Sequence, residues 1–264
     1  MSLDSLFTPE SGNNFTKITY HDTYSPITPD TSTPTHSGKV VFVSGASKGI
    51  GLEAAISYVK SGVSGIVISG RSSLASVERE IEEVCKSANI PVPKILALKL
   101  DILDYASVTE AAKSIETTFG RLDILINNAA YFSDVENLAE GDKDEWWMGF
   151  EVNIRGLYWV TKSLLPLLLK TDGGDKTIVN VTILAYSIHP GSVPTDLAQG
   201  LPEDFKGLLI DTPQLPADTL TYLTSQRRGW LASRYLSCNW DMNEIMSREK
   251  EIVDGDKLKF QMKF

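Results

Sequence analysis

From Lys39 to Val181 the chain alternates short apolar runs with stretches of helical spacing, and this alternation sets the class of fold. Runs at 40–44, 65–69, 95–100, 122–127 and 177–181 read as strands. Between them, Ile50, Ala54, Ala55 and Tyr58 line one side of a helix over 49–60, and Val77, Ile81, Val84 and Cys85 do the same over 74–87. A helix over 108–119 stops at Gly120, and a long one over 146–170 is expected to bend near Pro166. Strands separated by helices make a parallel sheet covered on both faces, and right-handed crossovers wind it twice. The predicted fold is therefore α/β: a doubly wound parallel sheet of Rossmann type, in a single domain over 38–264. Residues 1–37 are rich in Ser, Thr, Pro and Asp and predict an irregular N-terminal arm. Beyond the strands, 217–224 reads as a helix and 230–236 leads into a last strand. The tail from Asp241 reads as a helix with a solvated face of mixed charge.

The alternation breaks once. Residues 177–188 read Thr-Ile-Val-Asn-Val-Thr-Ile-Leu-Ala-Tyr-Ser-Ile, two strand-like segments with nothing between them. A parallel crossover takes a dozen or more residues. As one strand the run would be about 40 Å long, beyond the usual range. The alternatives are a hairpin or a local tear. Each leaves the crossover helix between strands five and six absent, uncovers apolar surface on one face and lowers stability.

Bulk properties narrow the partners. A net charge of −9 argues against nucleic acid and anionic membrane, which need clustered Lys and Arg. The longest strongly apolar patch, 164–169, is far short of a membrane span, and the first 20 residues carry no secretory apolar run. A cytoplasmic location is expected. Cys85 and Cys238 then read as reduced, partly buried thiols. His21, His36 and His189 form no close cluster with the cysteines, so no metal site is expected.

The first strand–helix turn is Ser44-Gly45-Ala46-Ser47-Lys48-Gly49-Ile50-Gly51. Its glycines permit a tight turn and close approach of backbone to a pyrophosphate, and the helix N-terminus supplies free N–H groups. With this turn in that place, the chain resembles the short-chain dehydrogenase/reductase family, filamentous-fungal type. Four more segments carry the resemblance over about residues 38–240. Leu100-Asp101-Ile102 closes the third strand, where the family's Asp contacts adenine. Asn127-Asn128-Ala129-Ala130 matches the segment beneath the cofactor. Asn153 matches the Asn of the family's catalytic tetrad. Pro190-Gly191-Ser192-Val193-Pro194-Thr195 matches the turn at the nicotinamide end. The resemblance implies that Gly45, Ser47, Lys48, Gly49, Ile50, Gly51, Asp101, Asn128, Val193 and Thr195 bind the cofactor. Charge indicates which cofactor. The second strand ends Ser69-Gly70-Arg71-Ser72, without the acid that would bond an NAD ribose. Arg71 offers a planar fork for a 2′-phosphate, and Lys48 adds a cation on the same side, so NADP is expected.

The family's remaining catalytic groups are a Ser after the fifth strand and a Tyr-x-x-x-Lys on the next helix. A phenol of pKa about 10 needs a nearby cation to exchange protons near neutrality. The Ser position holds Ile183, and Tyr186 is followed four residues later by Pro190. Tyr158 and Lys162 have the right spacing on one helix face but precede the Ser position, so a surface or interface pair is expected. Lys162 also resembles a basic residue that some members place near the cofactor. By comparison with the family, roughly 35–45 residues are absent at the 182/183 junction. The resemblance implies an oxidoreductase that interconverts a carbonyl and an alcohol on a small organic substrate, in fungal specialised metabolism by association. A lid over 198–216 with Leu201, Phe205, Leu208 and Leu209 would be apolar. The alternative is a catalytically inactive, truncated nucleotide-binding form, a splice or gene-model variant. Homo-oligomerisation stays open.

Overall fold

In a computed structural model, described for residues 15–133, 137, 139–181, 187–198, 201, 203–232 and 234–259, seven strands form one parallel sheet. The first half runs β1 (Val40–Ser44), α1 (Gly49–Lys60), β2 (Gly65–Gly70), α2 (Ala75–Ala88), β3 (Lys94–Lys99), α3 (Tyr105–Phe119) and β4 (Ile124–Asn127). The second half runs α4 (Lys143–Phe150), α5 (Leu157–Lys170), β5 (Thr177–Asn180), β6 (Ser187–His189), α6 (Glu203–Lys206), α7 (Gln214–Thr224), β7 (Tyr235–Ser237), α8 (Met242–Ser247) and α9 (Glu249–Asp254). The strand order β3-β2-β1-β4-β5-β6-β7 is the doubly wound one. β1, β2 and β4 are buried along their whole length, as apolar strands covered on both faces must be. α3 begins at Tyr105, earlier than its apolar stripe suggests, because the Asp104 carboxylate accepts from the N–H groups of Ala106 and Ser107. Asp142 and Asp241 cap α4 and α8 in the same way.

Two cores sit on the two faces. One joins α1, α2, α7, α8 and α9 to the sheet through Tyr58, Ile81, Leu215, Leu220, Ile245 and Ile252. The other joins α3 and α5 through Ile115, Val160, Leu164 and Leu168. No described residue of β6 or β7 belongs to the second core; Ile188 and Leu236 turn to the first. Among the described residues, Ile154, Tyr158 and Leu169 are large apolar side chains exposed on the helical stretch before β5.

β5 and β6 are parallel neighbours, which excludes the hairpin and the single long strand. Among the described residues their pairing is Asn180 opposite Ser187, whereas β4 and β5 pair at four positions. Thr182, Ile183 and Tyr186 lie outside the described residues. The expected long helix also differs. Helical structure starts at Lys143 and is interrupted by a π-helical turn over Glu151–Gly156, while α5 runs through Pro166 to Lys170. The irregularity sits where Asn153 reaches the backbone of Tyr131, not at the proline.

Residues 15–37 pack on the first core, with Ile27 buried and Phe15 and Tyr24 against it. The tail is less solvated than its charges suggest. The Arg248 guanidinium lies 4.0 Å from the Phe15 ring centroid and donates to the Phe15 carbonyl at 2.6 Å, although it also pairs with Glu244 and Glu251. Both cysteines are free and buried.

His36 closes this arm onto the domain. Its Nε2 lies 3.1 Å from Thr224 Oγ1 and its ring meets Tyr58 edge-on. Burial pushes the imidazole down to about 4. The folded value lies below the unfolded one, so the associated stability is complete above the unfolded pKa of about 6.5 and is lost as pH falls toward 4. The loss should be on the order of 3 kcal/mol. Urea unfolding at pH 7.0 and 4.5 is expected to show the midpoint dropping in the parent protein, with a clearly smaller drop in His36→Gln.

Candidate functional site

The glycine turn is locked where β1 and β4 end. Asn128 donates its side-chain amide to the carbonyls of Ser44 (3.0 Å) and Gly45 (3.1 Å). In return Ser44 Oγ accepts from the backbone N–H of Asn128 (2.9 Å) and of Ala129 (3.0 Å). Gly45 has φ +67°, and a Cβ there would lie 2.9 Å from Ala129 Cα. At Gly51 a Cβ would lie 2.3 Å from the Gly45 carbonyl oxygen and 2.5 Å from Asn128 Nδ2. Only glycine lets these three backbone segments meet.

The N-terminus of α1 faces this turn. Lys48 precedes it with extended backbone and no side-chain cap, and the first turn holds no acidic residue. By contrast α3, α4 and α8 each carry an aspartate cap. The free N–H groups and dipole of α1 are suited to an anion. A glycine cradle beside an uncapped helix fits the pyrophosphate of a dinucleotide.

Other expected residues surround the cradle. Ser47 lies near Gly70 at the end of β2, and the Arg71 side chain beyond it is exposed. Ile50 packs half-buried against the first core. Asp101 is exposed at the end of β3, with one oxygen accepting from Leu103 N at 2.9 Å. Val193 is buried, Thr195 donates its N–H to the Val193 carbonyl at 2.9 Å, and the Thr195 methyl faces Gly49.

Lys48 has a partner that the sequence does not announce. Its amine is paired with Asp196, so its charge is engaged by a neighbouring carboxylate rather than standing free beside Arg71. Lys162 lies apart: its amine sits 5.7 Å from the Tyr158 ring centroid and 5.8 Å from that of Tyr105, on the side where α5 meets α3. Asn153 holds Tyr131 by both polar atoms, accepting from its N–H at 2.9 Å and donating to its carbonyl at 2.7 Å.

Sequence reasoning missed Ser44, and it missed the buried contact of Asn127 with Thr161 (3.0 Å) and Asn180 (2.8 Å). A polar residue ending an otherwise apolar strand was the available signal for Ser44 and Asn180. His21 and Asp211, which pair behind the 190–195 turn, carried none.

A glycine cradle at the C-terminal edge of a doubly wound parallel sheet defines a Rossmann-type nucleotide-binding protein. The family model described as short chain dehydrogenase matches residues 39–189. The chain belongs to the short chain dehydrogenase family, in its filamentous-fungal type. It is 41% identical to the short chain dehydrogenase mpl6 of Monascus purpureus over 292 aligned positions, covering 97% of this chain and 99% of that protein. Since 97% of 264 residues is about 256, about 36 aligned positions face no residue of this chain. A short chain dehydrogenase from Shigella flexneri, solved in complex with NADP, superposes with a TM-score of 0.63 at 22% identity, covering 78% of this chain and 99% of that one. A 3-oxoacyl-[acyl-carrier protein] reductase from Brucella melitensis, solved with NAD, gives a TM-score of 0.65 at 17% identity, covering 77% and 96%.

Gly51→Ala is expected to cost about 2–3 kcal/mol through overpacking and to lower Tm by at least about 5 °C. Gly149→Ala is the contrast, since a Cβ there meets nothing within 4 Å. It should raise stability by about 0.5–1 kcal/mol. Thermal melts of both variants check the pair.

Proposed function

We propose that this chain carries the cofactor half of an NADP(H)-dependent oxidoreductase acting on a small carbonyl or alcohol compound in fungal specialised metabolism. It lacks the half that moves the proton. The uncapped α1 N-terminus behind the Asn128-locked glycine cradle is the observation that carries this reading. When bound, the nicotinamide supplies or receives the hydride. Gly45, Ser47, Gly49, Ile50 and Gly51 let backbone approach the pyrophosphate, with Asn128 holding the cradle's shape. Asp101 contacts adenine, and Val193 and Thr195 receive the nicotinamide end. Arg71, exposed after a strand with no terminal acid, pairs with the 2′-phosphate. Lys48 joins it on leaving Asp196. Lys162 is the remote member of this set.

Proton transfer at the substrate oxygen needs an acid/base group beside the nicotinamide. Asn153 corresponds to one member of the family's tetrad. Ile183 stands where a Ser is expected, and no Tyr-x-x-x-Lys follows β5 in the sequence. The roughly 36 unmatched positions of the Monascus relative agree in size with a lost crossover carrying those groups. Tyr158 and Lys162 do not replace them, because Lys162 faces Tyr105 of α3. The chain alone is accordingly a nucleotide-binding form without turnover.

Fluorescence titration is expected to show NADPH binding tighter than NADH. Arg71→Ala should weaken NADPH about tenfold and leave NADH nearly unchanged, consistent with loss of one charge-assisted phosphate contact. The same protein should give no oxidation of NADPH with a panel of ketones and aldehydes. Absence of NADPH binding, or steady turnover abolished by Tyr158→Phe, would overturn the reading.

A further inference from the structure

Asp211 is a buried carboxylate outside every motif of the family resemblance, with a side chain only 3% exposed. A buried charge must be met by donors. One oxygen accepts from His21 Nδ1 at 2.5 Å and from Asn239 Nδ2 at 3.0 Å; the other accepts from the backbone N–H of Ser192. An ionised carboxylate only accepts, so His21 Nδ1 carries the proton. The Asp211 N–H in turn donates to the Ser192 carbonyl at 3.1 Å, so Ser192 is held in both directions. Gly191, at φ +90°, makes room: a Cβ there would lie 2.5 Å from Asp211 Oδ2. Within the same turn Gly191 N donates to His189 Nδ1 at a long 3.2 Å and Thr195 N to the Val193 carbonyl at 2.9 Å.

His21 is held in its turn. Its carbonyl accepts from Thr212 N at 2.9 Å, and Asp22 accepts from Thr212 Oγ1 at 2.6 Å. Tyr20 exchanges bonds with Asn239, its N–H donating to the Asn239 carbonyl at 2.7 Å and its carbonyl accepting from Asn239 Nδ2 at 2.8 Å. Three segments far apart in sequence thus meet on one carboxylate, directly behind the turn whose Thr195 methyl faces Gly49.

We propose that the N-terminal arm is a working part of the cofactor site: His21, acting through Asp211, is a positioning residue that sets the 190–195 turn for the nicotinamide end. This rests on the NADP(H)-binding reading. Loss of His21 leaves one Asp211 oxygen to Asn239 alone and frees the buried carboxylate to shift or take up water. The turn would loosen while the sheet and both cores stay as they are.

The test uses the full chain and four variants. His21→Ala removes the donor. His21→Asn keeps a donor close to the place of Nδ1. Asp211→Asn removes the charge with little change of shape. Thr171→Val deletes a buried acceptor for Leu122 N far from the arm and serves as the stability control. Hydrogen exchange of the 190–195 segment, without cofactor, should rise about tenfold in His21→Ala and Asp211→Asn, return toward the parent rate in His21→Asn, and stay unchanged in Thr171→Val. NADPH should bind about five- to tenfold more weakly in the first two variants only. Unchanged exchange in both His21→Ala and Asp211→Asn overturns the proposal, as does faster exchange with undiminished NADPH affinity. If the parent itself does not bind NADPH, the cofactor reading has failed, and exchange alone then decides whether the arm sets the turn.

Discussion

The exchange of hydrogen bonds between Ser44 and Asn128 is the contact on which the candidate site depends. It joins the ends of two adjacent strands, β1 and β4, whose register the buried ladder already sets. The glycine turn is therefore not a free loop, because two of its carbonyls are tied to a side chain rooted in the sheet. Backbone approach to an anion needs such rigidity: a floppy turn would lose entropy on ordering each time a ligand arrived. The uncapped start of α1 follows from the same arrangement. Among the described residues it carries no side-chain cap and no first-turn acid, while aspartates cap the starts of α3, α4 and α8.

Much of the frame was legible in the sequence because it rests on local pattern. Apolar runs such as 40–44 and 65–69 announce buried parallel strands, and the glycine spacing of 45–51 announces a tight turn into a helix. Helix starts were misplaced wherever a cap outweighed the apolar stripe, as Asp104 does for α3. Contacts between distant segments were not legible. Nothing near His21 foretells Asp211, 190 residues on, and the pairing of Lys48 with Asp196 spans 148 residues. Arg248, read as part of a solvated face, spends its guanidinium on Phe15 for the same reason.

The seam between β5 and β6 is the most sparsely paired junction of the sheet among the described residues. Neighbouring pairs hold β4 to β5 and β6 to β7, and among the described residues Asn180 pairs with Ser187 across the gap. The strand order survives because each side of the seam is anchored elsewhere. β5 is tied to β4 through Asn127 and Asn180, and β6 to β7 and the first core through Ile188 and Leu236.

The π-helical turn over Glu151–Gly156 has a consequence for how this helix tolerates change in length. A π turn holds one more residue than the α turn it replaces. Removing a single residue from it would let regular α geometry run through with the downstream helix keeping its phase, because the wider turn already absorbs the extra residue. Leu164, Leu167 and Leu168 would stay in the core, and the loss would fall on the turn itself, where Asn153 clamps Tyr131. The extra residue is absorbed within the turn. It lets one continuous helix present a polar clamp at its start and an apolar stripe at its end, each facing the correct way.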